Sequence, residues 1–591
     1  MNHLIFNAPQ RLLSCSMQKR SLIVLCAFVI GAAVAGNEGQ LWKWTCNSKN
    51  QCIRQEYNSS AEYLSVEMCR LVCGNYGAFW PIPRQFNRST VFVKVHPNRF
   101  NFKIDAPGKP KKYFEEVVGV FQSNLFAECG PNCNEADEQF VNVEVTFTSG
   151  SMDLDWTTDE SYRLQTTDGT WQIIAPNFYG ARHGLETLSQ MVAPYPDGLV
   201  MLKSALVLDK PYYPHRSLLL DTARNYFSVK AIKRQLDGMG SSKLNYLHWH
   251  ITDSQSFPFV SKQLPNLSAL GAYSDKQVYT AADITELVHY ALLRGVRIIM
   301  EVDAPAHAGN GWQWGPAANL GNLAVCINQQ PWRQYCVEAP CGQLNPANQN
   351  VYDVLKMLYN DLTDLLPQNE LFHMGGDEIV LNCWNTTQEI IDYLHAQGKG
   401  QTKSDFLDLW GEFQEKALAK YDELLGHKDS TIMLWSSELT TTDVIQKYLD
   451  PKRYVIQTWV PSTDPLPNDL LNKGYRLVIS TKNAWYLDHG FWGTTTYYGW
   501  RTVYNNKLTS HKNVLGGEVC MWSEFLSEEA LDGRVWPRAA AAAERLWANP
   551  STKSDVAESR MHRQRERLVK RGIEAETLTP QWCYQNEGQC G

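Results

Sequence analysis

Apolar and polar positions alternate with period two through the first third of the chain. Val91 to Val95 and Val141 to Phe147 read as strands, and Tyr162 to Thr166 with Trp171 to Ile174 reads as a hairpin turning at Asp168-Gly169. Helical spacing follows over Gly180 to Val192. These elements predict a small α+β domain, and none of them carries the residue spacing of an active site.

From Arg216 the pattern changes. Short continuous apolar runs now alternate with helical periodicity, as in a parallel sheet with crossover helices. Eight runs qualify as strands: Arg216 to Asp221, Leu244 to Asp253, Arg297 to Asp303, Leu371 to Asp377, Thr431 to Ser436, Tyr454 to Val460, Arg476 to Thr481 and Val514 to Met521. Helices are expected over Ser228 to Met239, Ala281 to Gly295, Val351 to Leu366, Ser404 to Leu425 and Trp536 to Trp547. Eight strands fit an α/β fold of the (β/α)8 barrel kind. A doubly wound open sheet also alternates this way, but no Gly-rich dinucleotide fingerprint follows the first strand. The segment from Pro305 to Asn350 carries Trp312, Trp314, Trp332 and three cysteines, which makes it a functional loop rather than a linker. The expected organisation is a signal peptide over 1–35, a Cys-rich segment and α+β domain over 36–208, and the barrel over 209–591.

The leader reading rests on Lys19 and Arg20 ahead of an apolar run from Ser21 to Ala35 that ends in small residues before Gly36. Met17 is an alternative start. The run is short for a bilayer crossing, which needs about 20 residues, so the mature protein is expected to be soluble and secreted, with a lysosomal destination as the alternative. Cysteine usage agrees: 15 in all, of which Cys15 and Cys26 fall in the leader. Cys46, Cys52, Cys69, Cys73, Cys129 and Cys133 form an N-terminal set of open connectivity. Cys583 and Cys590 close a C-terminal loop, Cys336 and Cys341 flank a turn at Pro340, and Cys326 and Cys383 pair by elimination. Cys520 is left as a buried free thiol. Four sequons, at Asn58, Asn87, Asn266 and Asn385, are N-glycosylation candidates.

Lys and Arg total 55 against 62 Asp and Glu, a net charge of −7 that offers phosphate backbones no general attraction, so no nucleic-acid partner is expected. Trp is abundant, at 20, and its flat rings suit the apolar faces of sugars.

In a barrel the active site lies at the C-terminal ends of the strands. Here those ends are polar: Asp221-Thr-Ala-Arg224, His248-Trp-His250-Ile-Thr-Asp253, Glu301-Val-Asp303-Ala-Pro-Ala-His307, Gly375-Gly376-Asp377-Glu378, Trp485-Tyr486-Leu-Asp488 and Met521-Trp522-Ser-Glu524. His248, His250, Asp253, Asp303 and His307 have metal-ligand chemistry, but no Lys stands out to bridge metals and the aromatics suit an uncharged ligand. Neither metal nor cofactor is expected. Ordinary glycosidases set two carboxylates about 5 to 9.5 Å apart across the scissile bond, whereas neighbours on a strand point to opposite faces. Gly375 and Gly376 relax the backbone, so Asp377 and Glu378 can share one pocket, one as proton donor and the other orienting a nucleophile carried by the substrate.

At these residues the sequence resembles the β-N-acetylhexosaminidases of glycoside hydrolase family 20. His373-Met-Gly-Gly-Asp377-Glu378, the other strand-end motifs and Gly517-Glu-Val-Cys-Met-Trp522-Ser-Glu524 carry the resemblance, in order along the mature chain. Within the family, the Cys-rich start and the loop Val337-Glu338-Ala-Pro-Cys-Gly are most similar to the insect chitooligosaccharidolytic members. The resemblance implies exo-acting, retaining, substrate-assisted hydrolysis of glycans ending in β-linked N-acetylglucosamine, chitooligosaccharides or N-glycans, and a homodimer. Glu378 is then the acid. Asp377 takes the acetamido N–H, Tyr486 donates to the attacking oxygen, and Asp253 and His307 support Glu378. Trp435, Trp459 and Trp522 match aromatic walls, Arg224, Asp488 and Glu524 match hydroxyl-binding positions, and Trp500 matches a stacking platform facing Val337 and Glu338. The rival from another class is an inactive carbohydrate-binding barrel, against which the intact Asp377 and Glu378 argue.

Overall fold

The computed structural model describes residues 42–56, 64–131, 133, 140–196, 198–368 and 370–590. The expected leader and the Asn58 sequon lie outside the described residues. Eight parallel strands close a barrel in chain order: β1 (His215–Asp221), β2 (Tyr246–His250), β3 (Arg297–Glu301), β4 (Leu371–His373), β5 (Thr431–Trp435), β6 (Tyr454–Thr458), β7 (Arg476–Ile479) and β8 (Val514–Met521). All eight runs read from the sequence are present. One difference bears on the site: β4 ends at His373 instead of running to Asp377. Gly375 and Gly376 at φ +59° and +84° take the chain out of extended geometry there.

Interior side chains stack in layers two residues apart along the strands. The lowest layer, Tyr246, Ile299, Leu371, Met433, Val455 and Val478, is an apolar cluster. Trp156 of the small domain packs against it, its Nε1 donating to His215 Nδ1 at 3.1 Å. Two residues further along each strand stand His248, Glu301, His373, Trp435, Gln457 and Ser480, all buried. A barrel interior that turns from hydrocarbon to ionisable groups within one layer must pair those groups, since an unpaired buried charge is costly.

The small domain is a six-stranded mixed sheet, ordered Gln85–Arg88, Ala205–Asp209, Tyr162–Thr167, Thr170–Ala175, Val141–Phe147 and Phe100–Asp105. The expected hairpin turns at Asp168 and Gly169, both at positive φ, as an Asp-Gly turn requires. Glu160 ties this domain to the barrel by a two-oxygen pair with Arg216, at 2.9 and 2.6 Å, and is held within its own domain by His183 at 2.8 Å.

Disulfides join Cys326–Cys383, Cys336–Cys341 and Cys583–Cys590 as read from the sequence. The N-terminal set pairs as Cys46–Cys73, Cys52–Cys69 and Cys129–Cys133, and Cys520 is free and buried. Asn87, Asn266 and Asn385 are exposed. Among the described residues no helix is long and apolar enough to cross a membrane.

Candidate active site

The strand ends bring most of the candidate residues together at the mouth of the barrel. Beyond β4 the chain enters left-handed geometry again at Glu378, φ +53°, and after β3 at His307, φ +54°. Such conformations are costly for residues with a Cβ and cluster at functional sites. Their consequence is convergence: His307 Nε2 lies 3.3 Å from Glu378 Oε2, while Asp377 and Asp303 carboxylate oxygens stand within 4.8 Å of a His307 ring nitrogen. Adjacent carboxylates thus reach one point. Gly375 is required there, because a Cβ would fall 1.8 Å from Asp303 Oδ1, and the same oxygen accepts the Gly376 N–H at 2.9 Å.

Behind Glu378 runs a chain of ion pairs. His307 Nδ1 lies 3.1 Å from Asp253 Oδ2, and Arg224 Nη2 reaches the same oxygen at 3.0 Å. Burial works against the His307 cation, but the Asp253 and Asp303 charges outweigh it and hold its proton well above the usual histidine range. Burial likewise raises the Glu378 carboxyl, yet the hydrogen bond and charge of His307 overcome this and leave it below its ordinary value. In the free site the pair therefore carries one proton, resting on His307. Asp377 behaves oppositely: burial, with the Asp303 charge added, pushes its carboxyl well up.

Around this centre stand rings. Trp435 and Tyr486 are buried in one cluster with Leu219 and Cys520, and Trp459 and Trp522 pack against it. Trp435 and Trp522 centroids are 5.8 Å apart, and Trp459 stacks near Tyr486 at 6.5 Å. Burial raises the Tyr486 phenol well up, so it stays a donor. The Arg224 guanidinium sits 4.9 Å over Trp522 and pairs with Asp221 at 3.3 Å and Glu338 at 3.4 Å. Val337 and Glu338 line one cleft with His307 and Glu378. Burial raises Asp488 to about 6 and Glu524 to about 8.

Four polar atoms of this site are buried without a partner: Asp377 Oδ1, Asp488 Oδ1, Glu524 Oε2 and Arg224 Nε. Each such atom costs about 1–3 kcal/mol. Grouped at the mouth of a barrel among tryptophans, they fit a ligand with several hydroxyl and amide groups.

The structure corrects one expectation. Trp500 is no exposed platform: its ring is 6% exposed and packs on Tyr504. The helix Trp500–Asn505 begins at this residue, and Trp500, Val503 and Tyr504, spaced i, i+3, i+4, turn their shared face into the barrel core. Trp492, on the same loop, does reach the surface, 39% exposed, with its Nε1 donating to Asp488 Oδ2 at 3.0 Å. Trp492 and Glu301 were not singled out as site residues from the sequence. Glu301 sat in plain view at a strand end, two positions beyond Ile299, and its inward direction follows from strand alternation.

A closed barrel with paired acids and an aromatic pocket at its C-terminal mouth defines a carbohydrate-cleaving enzyme. Residues 213–550 match the model of the glycosyl hydrolase family 20 catalytic domain, and residues 79–191 match one described as beta-acetyl hexosaminidase like. The chain belongs to glycosyl hydrolase family 20, and the protein is a glycoside hydrolase. It is 41% identical to a chitooligosaccharidolytic beta-N-acetylglucosaminidase of Bombyx mori, over 97% of this chain and 100% of that one. Identity is 42% to a probable beta-hexosaminidase of Drosophila melanogaster, covering 93% and 91% of the two chains. Among solved structures, the chitobiase of Flavobacterium johnsoniae superposes with a TM-score of 0.68 at 26% identity, over 84% of this chain and 73% of that one.

Proposed function

We propose that the protein releases single N-acetylglucosamine residues from the non-reducing ends of chitooligosaccharides, by substrate-assisted catalysis with retention. The carrying observation is the meeting of Asp377 and Glu378 at His307, with the inner oxygen of Asp377 buried and unpartnered. Asp377 Oδ1 is suited to accept the acetamido N–H, which aims the acetamido carbonyl at the anomeric carbon. As that oxygen bonds to carbon, the glycosidic bond breaks and Glu378 delivers a proton to the leaving oxygen. His307 hands its proton to Glu378 in the same step, with Asp253 behind it. The oxazolinium formed is stabilised by ionised Asp377, whose proton affinity drops once a cation and a donor stand beside it. Tyr486 O–H donates to the attacking oxygen, Trp435, Trp459 and Trp522 enclose the ring and methyl group, and Arg224, Asp488 and Glu524 bind the terminal hydroxyls. Val337 and Glu338 border the exit for the remaining chain.

The similarity to the Bombyx mori enzyme supports the chitooligosaccharide preference. Six disulfides support an oxidising, secreted location, and a homodimer is proposed on the family resemblance alone. Time-resolved products from chitotetraose, beside a biantennary N-glycan, test the reading. Stepwise release of monosaccharide, faster from chitotetraose, is expected. Internal cleavage to disaccharide contradicts exo action, and faster trimming of the N-glycan contradicts the preference.

A further inference from the structure

The layer of ionisable groups under the cavity floor has no part in the steps above. Glu301, fully buried on β3, accepts the Trp435 Nε1–H on Oε1 at 2.7 Å. Its Oε2 lies 2.7 Å from His250 Nδ1 and 3.0 Å from His248 Nε2. The other nitrogen of His250, Nε2, meets Asp253 Oδ2 at 2.9 Å. His250 is fully buried, and the Trp522 ring meets its edge at 4.9 Å. The imidazole therefore spans two carboxylates, one holding the aromatic wall and one at the foot of the proton chain to Glu378. We propose that His250 is a positioning residue that fixes Asp253 behind the His307–Glu378 pair by bridging it to Glu301, and so ties the acid to the Trp435 wall. The inference rests on Glu378 being the acid.

With both nitrogens facing carboxylates, His250 is held as a cation: burial opposes the charge, and Glu301 and Asp253 outweigh it. The groups facing it from neighbouring elements are Arg224 after β1, Glu301 and Asp303 at the end of β3, and His248 on its own strand. Asp253 thus divides its charge among Arg224, His250 and His307. Removing the His250 cation leaves Asp253 acting more strongly on His307, which then binds its proton more tightly and yields it to Glu378 less readily.

His250→Gln tests this, with kinetics on chitobiose and on a dinitrophenyl N-acetylglucosaminide across pH. The alkaline limb of kcat/KM is expected to move up by about one pH unit, on the order of a tenfold change in proton affinity. Turnover of chitobiose should fall about tenfold or more while that of the aryl glycoside, which needs little protonation, changes far less. Glu301→Gln leaves the imidazole in place and serves if the first variant does not fold; it should show the same leaving-group dependence. On the wild type, proton NMR should show far-downfield imidazole N–H signals for His250 that persist from pH 5 to 8. An unmoved limb with equal losses on both substrates, or the absence of those signals, overturns the proposal. Should Glu378→Gln itself lack leaving-group dependence, the acid assignment fails first; normal behaviour there with none in His250→Gln removes only this inference.

Discussion

Glu378→Gln is expected to reduce turnover of chitobiose by at least about a hundredfold, in line with the typical contribution of a positioned general acid. The amide is nearly isosteric, keeps contact with His307, and has no proton to transfer. A dinitrophenolate departs without help, so the activated aryl glycoside should retain most of its rate through the first step. Side-by-side kcat values on the two substrates measure the difference. The asymmetry is specific to an acid: a residue that only binds sugar weakens both substrates together. The protonation pattern sharpens the expectation, because the Glu378 carboxyl is kept low by His307 in the free site and draws its proton from that ring. The pair loses function when its one proton is lost, so activity of the native enzyme falls on the alkaline side, as His307 deprotonates.

Asp377→Asn should be as damaging and should not discriminate. Its carboxylate stabilises the positive charge of the cyclised acetamido group whatever leaves from the anomeric carbon. Losing one preorganised electrostatic contact of this kind costs about 2.7–4 kcal/mol, or roughly 10² to 10³ in kcat. Steady-state kcat on chitobiose and on the dinitrophenyl glycoside should fall by similar factors. The substituted amide can also turn its NH2 toward the acetamido N–H, two donors face to face, which adds to the loss. Rescue of the aryl glycoside in this variant would assign Asp377 a proton-transfer role instead.

The barrel and most of its mouth were legible in the sequence because the chemistry sits where apolar runs end. Each of β1 to β8 appears as a run, and the acids, rings and arginine that follow it fall at the mouth by the logic of the fold. The Gly375-Gly376 pair announced the exception to strand alternation that lets Asp377 and Glu378 converge. Trp500 follows Tyr497-Tyr498-Gly499 and so reads as a loop residue, whereas the structure buries it. Its i, i+3, i+4 partners Val503 and Tyr504 were the signal of a buried helical face. His248 and His250 read from the sequence only as possible metal ligands, and Glu301 only as part of a polar strand end. Their pairing with each other and with Trp435 depends on which strands are neighbours across a closed barrel, which local pattern does not encode. The disulfides divide the same way: close or leftover cysteines could be paired by spacing, whereas the nesting of Cys52–Cys69 inside Cys46–Cys73 needed the fold.

The central claim is that the substrate supplies its own nucleophile between Asp377 and Glu378. The most direct measurement is kcat/KM for aryl glycosides whose N-acetyl group carries zero, one, two or three fluorines. Each fluorine weakens the carbonyl oxygen as a nucleophile and barely changes its size. The account predicts a continuous fall, about a hundredfold or more across the series, equivalent to about 2.7 kcal/mol in the barrier. A flat series, with a covalent glycosyl ester on Asp377 or Glu378 found by mass spectrometry, would contradict it.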